Sequence, residues 1–291
     1  MATKKLFCFG LGYSAQAITR DCIKAGFHVV GTTRTPENRL KLLQQGFSDV
    51  VLFDGTAPIA DFLAEHGDTT HLLCSLPANA QGDAAFIHHV DAINALPNLA
   101  WAGYLSTTGV YGDHQGNWVT EETPVAPLSP RAQHRVLAEN QWRSLNIAAN
   151  IFRLAGIYGA GRSALERVQE GSAQRIFKQG HVFSRIHVED IAHIVCASMQ
   201  GGRNGRIYNC ADDDPAPPQD VIEYAATLLN LPVPSLIPYE HAVLSEMAQS
   251  FYAECKRVDN TRIKEELGVV LRYPTYREGL RGILSAALSR D

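Results

Sequence analysis

The chain has no long apolar run. None of its 291 residues belongs to an unbroken apolar stretch of about 18 residues, the length that a membrane-spanning helix needs. Its N-terminus passes directly into a strand-like run at 6–9 and shows no secretory signal pattern. We therefore expect a cytoplasmic protein without a membrane partner.

Cysteine pairs and excess positive charge are also missing. The six cysteines are scattered, without the paired spacing of zinc sites or disulfide scaffolds, so we expect reduced core residues and no metal site. A net charge of -4 provides no basic surface for nucleic acid. The hydrophobic and charged fractions, 45% and 19%, are ordinary for a globular protein.

What the sequence does contain is an alternation of short apolar runs and amphipathic stretches, typical of βαβ units and a parallel sheet. Strands are predicted at 5–9, 27–32, 49–53, 71–75, 100–106, 150–153 and 206–210, and helices at 14–25, 36–45, 83–96, 130–145 and 188–199. This order predicts an α/β fold, a doubly wound parallel-sheet Rossmann domain formed by 1–157 and 186–211. The Gly-rich and Pro-rich segments after Arg153 indicate a small discontinuous C-terminal lid, 158–185 and 212–291, built of helices without a second series of strands.

A G-x-G-x-x-A motif follows the first predicted strand and opens a helix, the context in which this motif binds a dinucleotide. The first glycine permits the tight turn, the second lets backbone amides approach a pyrophosphate, and the alanine keeps the helix close to the strand. The predicted pyrophosphate loop consists of Gly10, Leu11, Gly12, Tyr13, Ser14 and Ala15. A turn without a ligand is the structural alternative.

The end of the second strand indicates which dinucleotide binds. A carboxylate there accepts bonds from the ribose 2′-hydroxyl of NAD, whereas a cation suits the 2′-phosphate of NADP. Here Thr33 is followed by Arg34, and no Asp or Glu lies in reach. We therefore favour NADP over NAD, with a solvated Arg34 at the start of a loop as the alternative.

Several further segments together resemble the extended short-chain dehydrogenase/reductases, the NAD-dependent epimerase/dehydratase family. They occur in the family's order along nearly the whole chain, while the loop spacing at the first strand is similar to that of an atypical, YeeZ-like branch. The segments that carry the resemblance are 104–113, 153–162, 186–192, 207–211, 258–262, 266–268 and 278–280. The resemblance implies a small-molecule substrate and a homodimer through the helices at 83–96 and 130–145. It also implies that Ser75, Leu76, Pro77, Leu154, Ala155, Gly156 and Ile157 border the cofactor.

The resemblance breaks at the family's catalytic residues, a Ser/Thr and a Tyr-x-x-x-Lys pair. Thr107 matches the Ser/Thr, but Arg131 and Arg135 stand where the Tyr and the Lys are expected. A guanidinium stays protonated, so Arg131 cannot exchange a proton with substrate, although Arg135 can still bind a ribose hydroxyl or a phosphate. Thr107 is alternatively a hydroxyl that caps a turn.

Three interpretations remain open at this point. In the first, an NADP-dependent oxidoreductase or epimerase-like enzyme uses a relocated proton donor. The candidate is Tyr111, with Tyr158 and His134 as weaker ones, unless Tyr111 is only a packed aromatic. In the second, the protein binds NADP(H) without turnover, as a redox sensor or scaffold. In the third, Arg131 and Arg135 hold an anionic substrate while the cofactor supplies hydride.

Overall fold

The computed structural model describes residues 4–201 and 203–289. A seven-stranded, fully parallel sheet forms its centre, in the spatial order β3-β2-β1-β4-β5-β7-β11. The chain starts in the middle and winds first to one edge and then to the other, as predicted. The sheet strands are β1 (Lys5–Phe9), β2 (His28–Thr33), β3 (Asp49–Leu52), β4 (His71–Cys74), β5 (Trp101–Thr107), β7 (Asn150–Leu154) and β11 (Ile207–Cys210).

Helices cover both faces of this sheet and close a separate apolar cluster on each. One cluster holds Ile18 and Ile194 from the helices of the first face, and the other holds Ala85 and Trp142 from those of the second. Because both faces are buried, most of the strands hold runs of consecutive buried residues instead of alternating. The helices are α1 (Tyr13–Lys24), α2 (Pro36–Gln44), α3 (Phe62–His66), α4 (Ala84–Asn94), α5 (Pro130–Arg143) and α7 (Val188–Gly201).

A third apolar cluster lies outside the Rossmann core and joins helices that follow Arg153. Tyr158, Leu165, Ile222 and Leu280 are among its members. The helices of this part of the chain are α6 (Ala164–Gln169), α8 (Pro218–Leu228), α9 (Glu246–Tyr252), α10 (Thr261–Leu267) and α11 (Tyr276–Leu288). Of these, α10 contributes Ile263 to the first core cluster. The predicted lid ranges therefore hold both lid helices and a helix that packs on the core.

Short strands also occur where only helices were expected after Arg153, and this expectation was wrong. They pair in parallel as β10 with β8, β12 with β9, and β13 with β6. Runs of two or three residues are too short to show the period-two alternation that identifies a strand. The strands that follow Arg153 are β8 (Gly156–Tyr158), β9 (Arg175–Phe177), β10 (Arg185–His187), β12 (Leu236–Pro238) and β13 (Arg257–Val258), whereas β6 (Trp118–Val119), the partner of β13, precedes it.

The boundaries 157/158, 185/186 and 211/212 stay a prediction, and residues 1–3, 202 and 290–291 of the predicted ranges lie outside the described residues. Within the described part of the chain, no helix is long and apolar enough to cross a membrane. The same residues contain no group of three or more His, Cys, Asp or Glu side chains arranged to hold a metal ion.

Candidate functional site

The G-x-G-x-x-A loop joins β1 to α1 at the carboxyl edge of the sheet. Helix α1 has Gly12 at its N-cap and no side-chain cap, so its first N–H groups are free to bind an anion. A Cβ built on Gly12 would meet no described atom within 4 Å, and its φ of -79° suits any residue. The protein itself does not require a glycine here. The empty position beside Gly12 instead leaves the backbone open to close approach, which a pyrophosphate needs.

Gly10 and the segment after β4 lie against each other beside this loop. The φ of Gly10 is +87°, and a Cβ on it would lie 2.7 Å from Leu76 Cδ2. Ser75 Oγ donates to Gly10 O at 2.8 Å, while Pro77 is exposed at the surface. The structure thus brings Ser75 and Leu76 next to the loop, and their contact with the cofactor stays a prediction.

Leu11 has a packing role within the loop. Its side chain is buried, and a Cβ on Gly31 of β2 would lie 2.2 Å from Leu11 Cδ1. Ala15 is fully buried and Ser14 nearly so, which keeps α1 close to β1. Together with the bonds from Gly10 N to Thr32 Oγ1 at 2.8 Å and from Leu11 N to Thr32 O at 2.9 Å, these contacts hold the loop in place at the edge of the sheet.

The end of β2 carries the residues predicted to select the dinucleotide. Thr33 is buried, and its Oγ1 accepts a bond of 2.6 Å from Asn38 Nδ2. Arg34 is exposed and forms no ion pair with any residue in 4–201 or 203–289. The first turn of α2 follows directly, with Thr35 as its N-cap. A free guanidinium therefore stands at the point where the ribose of the adenosine half binds in Rossmann folds.

Thr107 ends β5 level with Leu154 at the end of β7. Its Oγ1 accepts a bond of 3.1 Å from Gly109 N and caps the 3-10 turn Thr108–Tyr111, so the turn-capping role that was considered for it is present. Its own hydroxyl proton has no acceptor among the described residues, and the side chain is half-buried. Thr107 can therefore still donate a hydrogen bond to a ligand at the carboxyl edge of the sheet, in the region between the G-x-G-x-x-A loop and α5 that we call the cleft.

Arg135 reaches from α5 to the carboxyl ends of β4 and β5. Its Nη1 lies 3.0 Å from Leu76 O, 2.9 Å from Leu105 O and 2.7 Å from the Tyr104 hydroxyl. Its Nε and Nη2 bond to no described residue and are not closed off from solvent. Arg135 thus fixes the two strand ends and keeps donors free for a ligand. The Tyr104 partner was missed in the sequence, because an aromatic inside an apolar run predicts only packing.

Arg131 lies one turn before Arg135 on α5 and is exposed, without an ion pair among the residues described. His134 is half-buried. Of the loop after β7, Leu154 and Ala155 are buried, Ile157 is half-buried, and Gly156 is exposed where β8 pairs with β10. The two arginines and this loop border the same edge of the sheet.

Tyr111 is fully buried, and its hydroxyl donates to Asn209 Oδ1 at 2.7 Å. Burial raises the pKa of this hydroxyl. The guanidinium carbon of Arg153 lies 4.8 Å from its ring centroid. A phenol with a satisfied bond and no exposure does not reach a substrate, so this geometry favours the packing role over proton transfer.

A buried polar network, which was not predicted from the sequence, lies next to Tyr111. Glu139 Oε1 and Oε2 accept from Arg153 Nε at 3.1 Å and Nη2 at 2.7 Å, and both side chains are 4% exposed. Ser106 Oγ adds a bond of 2.6 Å to Glu139 Oε1. Glu139 follows Arg135 by four residues on α5 and therefore lies on the same face of the helix. This spacing was the sequence feature that could have indicated a buried Glu139.

On the lid side, Tyr158 is buried and its hydroxyl lies 3.4 Å from Thr275 O, and burial raises its pKa. Asp212 is the first residue of an acidic run that follows β11, and it is buried although such runs are usually solvated. Its side chain is 1% exposed and neither carboxylate oxygen has a partner in the described part of the chain. Burial raises the pKa of Asp212 well above its usual range, and the positive charge of nearby Arg185 offsets only part of that rise. The next two carboxylates pair with Lys264 and Arg277 at the surface.

Known proteins share this architecture over the whole chain. Protein YeeZ of Escherichia coli strain K12 is 28% identical over 290 residues, which cover 93% of this chain and 97% of YeeZ. A solved structure described as a functionally unknown conserved protein from Silicibacter pomeroyi DSS is 45% identical, with a TM-score of 0.89 over 98% of this chain and 99% of that one.

A dTDP-glucose 4,6-dehydratase from Bacillus anthracis strain Ames, solved in complex with NAD, has a TM-score of 0.77 over 99% of this chain and 98% of its own. At 16% identity this likeness shows the fold alone. The model of the NAD dependent epimerase/dehydratase family matches residues 10–211, from the first glycine of the loop to the end of the last core strand. That stretch is well over half of the chain, and we conclude that this protein belongs to the NAD dependent epimerase/dehydratase family.

Proposed function

We propose that the protein binds NADP(H) at the carboxyl edge of its sheet and acts as an oxidoreductase on a small anionic carbonyl compound. The observation that carries this proposal is the uncapped N-terminus of α1 with open space at Gly12, combined with a free Arg34 at the end of β2. The first feature suits a pyrophosphate. The second suits a 2′-phosphate, because a guanidinium forms charge-assisted, bidentate bonds with phosphate.

The bound cofactor would supply hydride to the substrate. The protein's own part would be to orient the substrate oxygen through the Thr107 hydroxyl and to hold its negative group with Arg131 and the free donors of Arg135. Support comes from the lack of a carboxylate partner for either arginine in the described ranges. Two uncompensated guanidinium groups one helical turn apart attract an anion more strongly than a neutral sugar.

A second candidate function, NADP(H) binding without turnover, is favoured by one specific observation. The hydroxyl of Tyr111, the best candidate for a relocated proton donor, is buried and bonded to Asn209. The usual epimerase or dehydratase chemistry needs a Tyr that transfers a proton, and Arg131 stands at the position where that Tyr is expected. Cytoplasmic location and a homodimer through α4 and α5 remain predictions from the sequence.

The decisive experiment is parallel calorimetric titration of NADPH and NADH into the wild type and Arg34→Ala. A charge-assisted bond contributes about 1.5–3 kcal/mol, so NADPH should bind at least about tenfold more tightly than NADH. Arg34→Ala should remove that preference and leave NADH affinity unchanged. The matched control is Arg143→Ala, an exposed arginine in the last turn of α5.

Equal affinity for both dinucleotides would contradict the assignment of Arg34, and the absence of any binding would refute the proposed function. If NADPH binds, its absorbance should be followed while small keto acids and neutral aldehydes are offered. Consumption with the acids only would support the anionic substrate. No consumption with either set would favour the second candidate.

A further inference from the structure

The turn that connects β8 to α6 lies across the start of α1. The Tyr13 hydroxyl donates to Ala160 O at 3.0 Å, although Tyr13 and the turn are far apart in sequence. A Cβ on Gly159 would lie 2.5 Å from that hydroxyl and 2.6 Å from Val188 Cγ1. Only glycine permits so close an approach. The turn is therefore packed directly on the first residue of the helix whose amides border the pyrophosphate site.

Hydrogen bonds join the residues of this turn to one another and to α6. Gly159 N donates to Arg162 O at 3.2 Å and Arg162 N to Gly159 O at 3.0 Å. Gly161 has a φ of +74° and donates its N–H to Glu166 Oε1 at 2.7 Å. The same carboxylate accepts from Ser163 N at 2.8 Å in the capping box of α6. These bonds fix the turn to the lid helix and determine where Arg162 projects.

Arg162 carries an uncompensated positive charge. Its side chain is exposed, and it forms no ion pair with any residue of the described ranges, while Glu166 is occupied by the turn. Its guanidinium carbon lies 5.8 Å from the centroid of the Tyr13 ring. At an exposed site such an aromatic contact contributes about 0.5–1 kcal/mol. The contact places the cation beside Tyr13, the first residue of α1 and the neighbour of Gly12.

We infer that Arg162 is a ligand of the dinucleotide pyrophosphate, supplied by the lid, and that cofactor binding tightens the 159–162 turn on α1. This inference rests on the proposed function. The phosphates would be held by the amides of α1 on one side and by a guanidinium on the other. Since NADPH and NADH share the pyrophosphate, Arg162 contributes equally to both, in contrast to Arg34.

The test is calorimetric titration of NADPH and NADH into wild type, Arg162→Ala, Arg162→Lys and the control Arg143→Ala. Arg162→Ala should weaken both dinucleotides by the same factor, about tenfold, and Arg162→Lys by less, because it keeps the charge and loses the fork of donors. Amide hydrogen exchange of the 159–162 turn should slow on addition of NADPH in the wild type and not in Arg162→Ala. Thermal unfolding of each variant checks that the exposed substitution leaves the fold intact.

Three results would overturn the inference, and they are distinguishable. If the wild type binds neither dinucleotide, the proposed function falls together with it. If the wild type binds and Arg162→Ala binds equally well, only the inference is wrong. If Arg162→Ala weakens NADPH alone, Arg162 acts on the 2′-phosphate and the pyrophosphate assignment is wrong.

Discussion

Tyr111→Phe removes one buried oxygen atom and should lower stability without altering dinucleotide binding. The hydroxyl donates to Asn209 Oδ1 at 2.7 Å, and both residues are 0% exposed. Asn209 Nδ2 already lacks a partner among the described residues, and its backbone N–H is bonded to Glu121 at 2.8 Å. Loss of the hydroxyl therefore leaves Asn209 Oδ1 without solvent and without a donor.

A buried acceptor that loses its only donor costs about 1–3 kcal/mol. The phenyl ring stays in place, so the contact with Arg153 at 4.8 Å remains and no large cavity forms. For a chain of this size each kcal/mol lowers Tm by roughly 2–4 °C. The measurement is urea and thermal unfolding beside Tyr224→Phe. The Tyr224 hydroxyl bonds to no described residue, and its loss should change stability by less than about 0.5 kcal/mol.

Unchanged stability together with lost activity would refute the packing role of Tyr111. If Tyr111→Phe unfolds like the wild type but no longer consumes NADPH with a carbonyl compound that the wild type reduces, the hydroxyl reaches the substrate. Tyr111 would then be the relocated proton donor that the sequence allowed. A destabilised variant with unchanged consumption supports the packing role.

Two further substitutions test the pyrophosphate loop and a buried histidine. Gly12→Ala should change the free energy of unfolding by less than about 1 kcal/mol, because the φ of Gly12 is ordinary and its surroundings are open. The same substitution should weaken NADPH binding at least about tenfold in calorimetry. Unchanged affinity would mean that the pyrophosphate does not approach Gly12. Burial lowers the pKa of His187 to about 4, below the value of about 6.5 in the unfolded chain. The unfolded state therefore takes up the proton first, and His187 should remove up to about 3 kcal/mol of stability as the pH falls from 6.5 to 4. Urea titrations at several pH values should show a smaller loss of unfolding free energy over this range in His187→Asn than in the wild type. An equal dependence of stability on pH in the two proteins would contradict the lowered pKa of His187.

The sheet was predictable because seven separate apolar runs alternate with amphipathic helices, and parallel strands buried on both faces leave that pattern in the sequence. The pyrophosphate loop was predictable because its glycines stand between a strand and a helix. The paired strands β8 and β10 were not, since three residues are too few to define a period. Their pairing depends on contacts between residues 156 and 185, which no local pattern encodes.

The candidate site was predictable in position but less so in the roles of its side chains. Thr107, Arg135 and Leu76 were expected at one edge of the sheet, and the structure brings them there. Whether a tyrosine faces the cleft or the core depends on the turn after β5, which buries Tyr111 against Asn209. Asp212 shows the same limit, because an acidic run predicts solvent and tertiary packing placed its first carboxylate inside.

Under the proposed function, the two arginines on α5 would determine what chemistry the site can perform. A lysine beside a tyrosine lowers the pKa of the phenol, whereas Arg135 bonds the ends of β4 and β5. Its other partner, Tyr104, is buried, and burial raises the pKa of that hydroxyl, so it remains neutral at working pH. A guanidinium can stabilise a developing negative charge but cannot release a proton. Reduction in this cleft would therefore depend on electrostatic stabilisation of the substrate oxygen, with the proton supplied by water or relayed through the Thr107 hydroxyl. Such a site suits a substrate whose own carboxylate or phosphate is held by Arg131, because binding energy at the anion then fixes the carbonyl near Thr107.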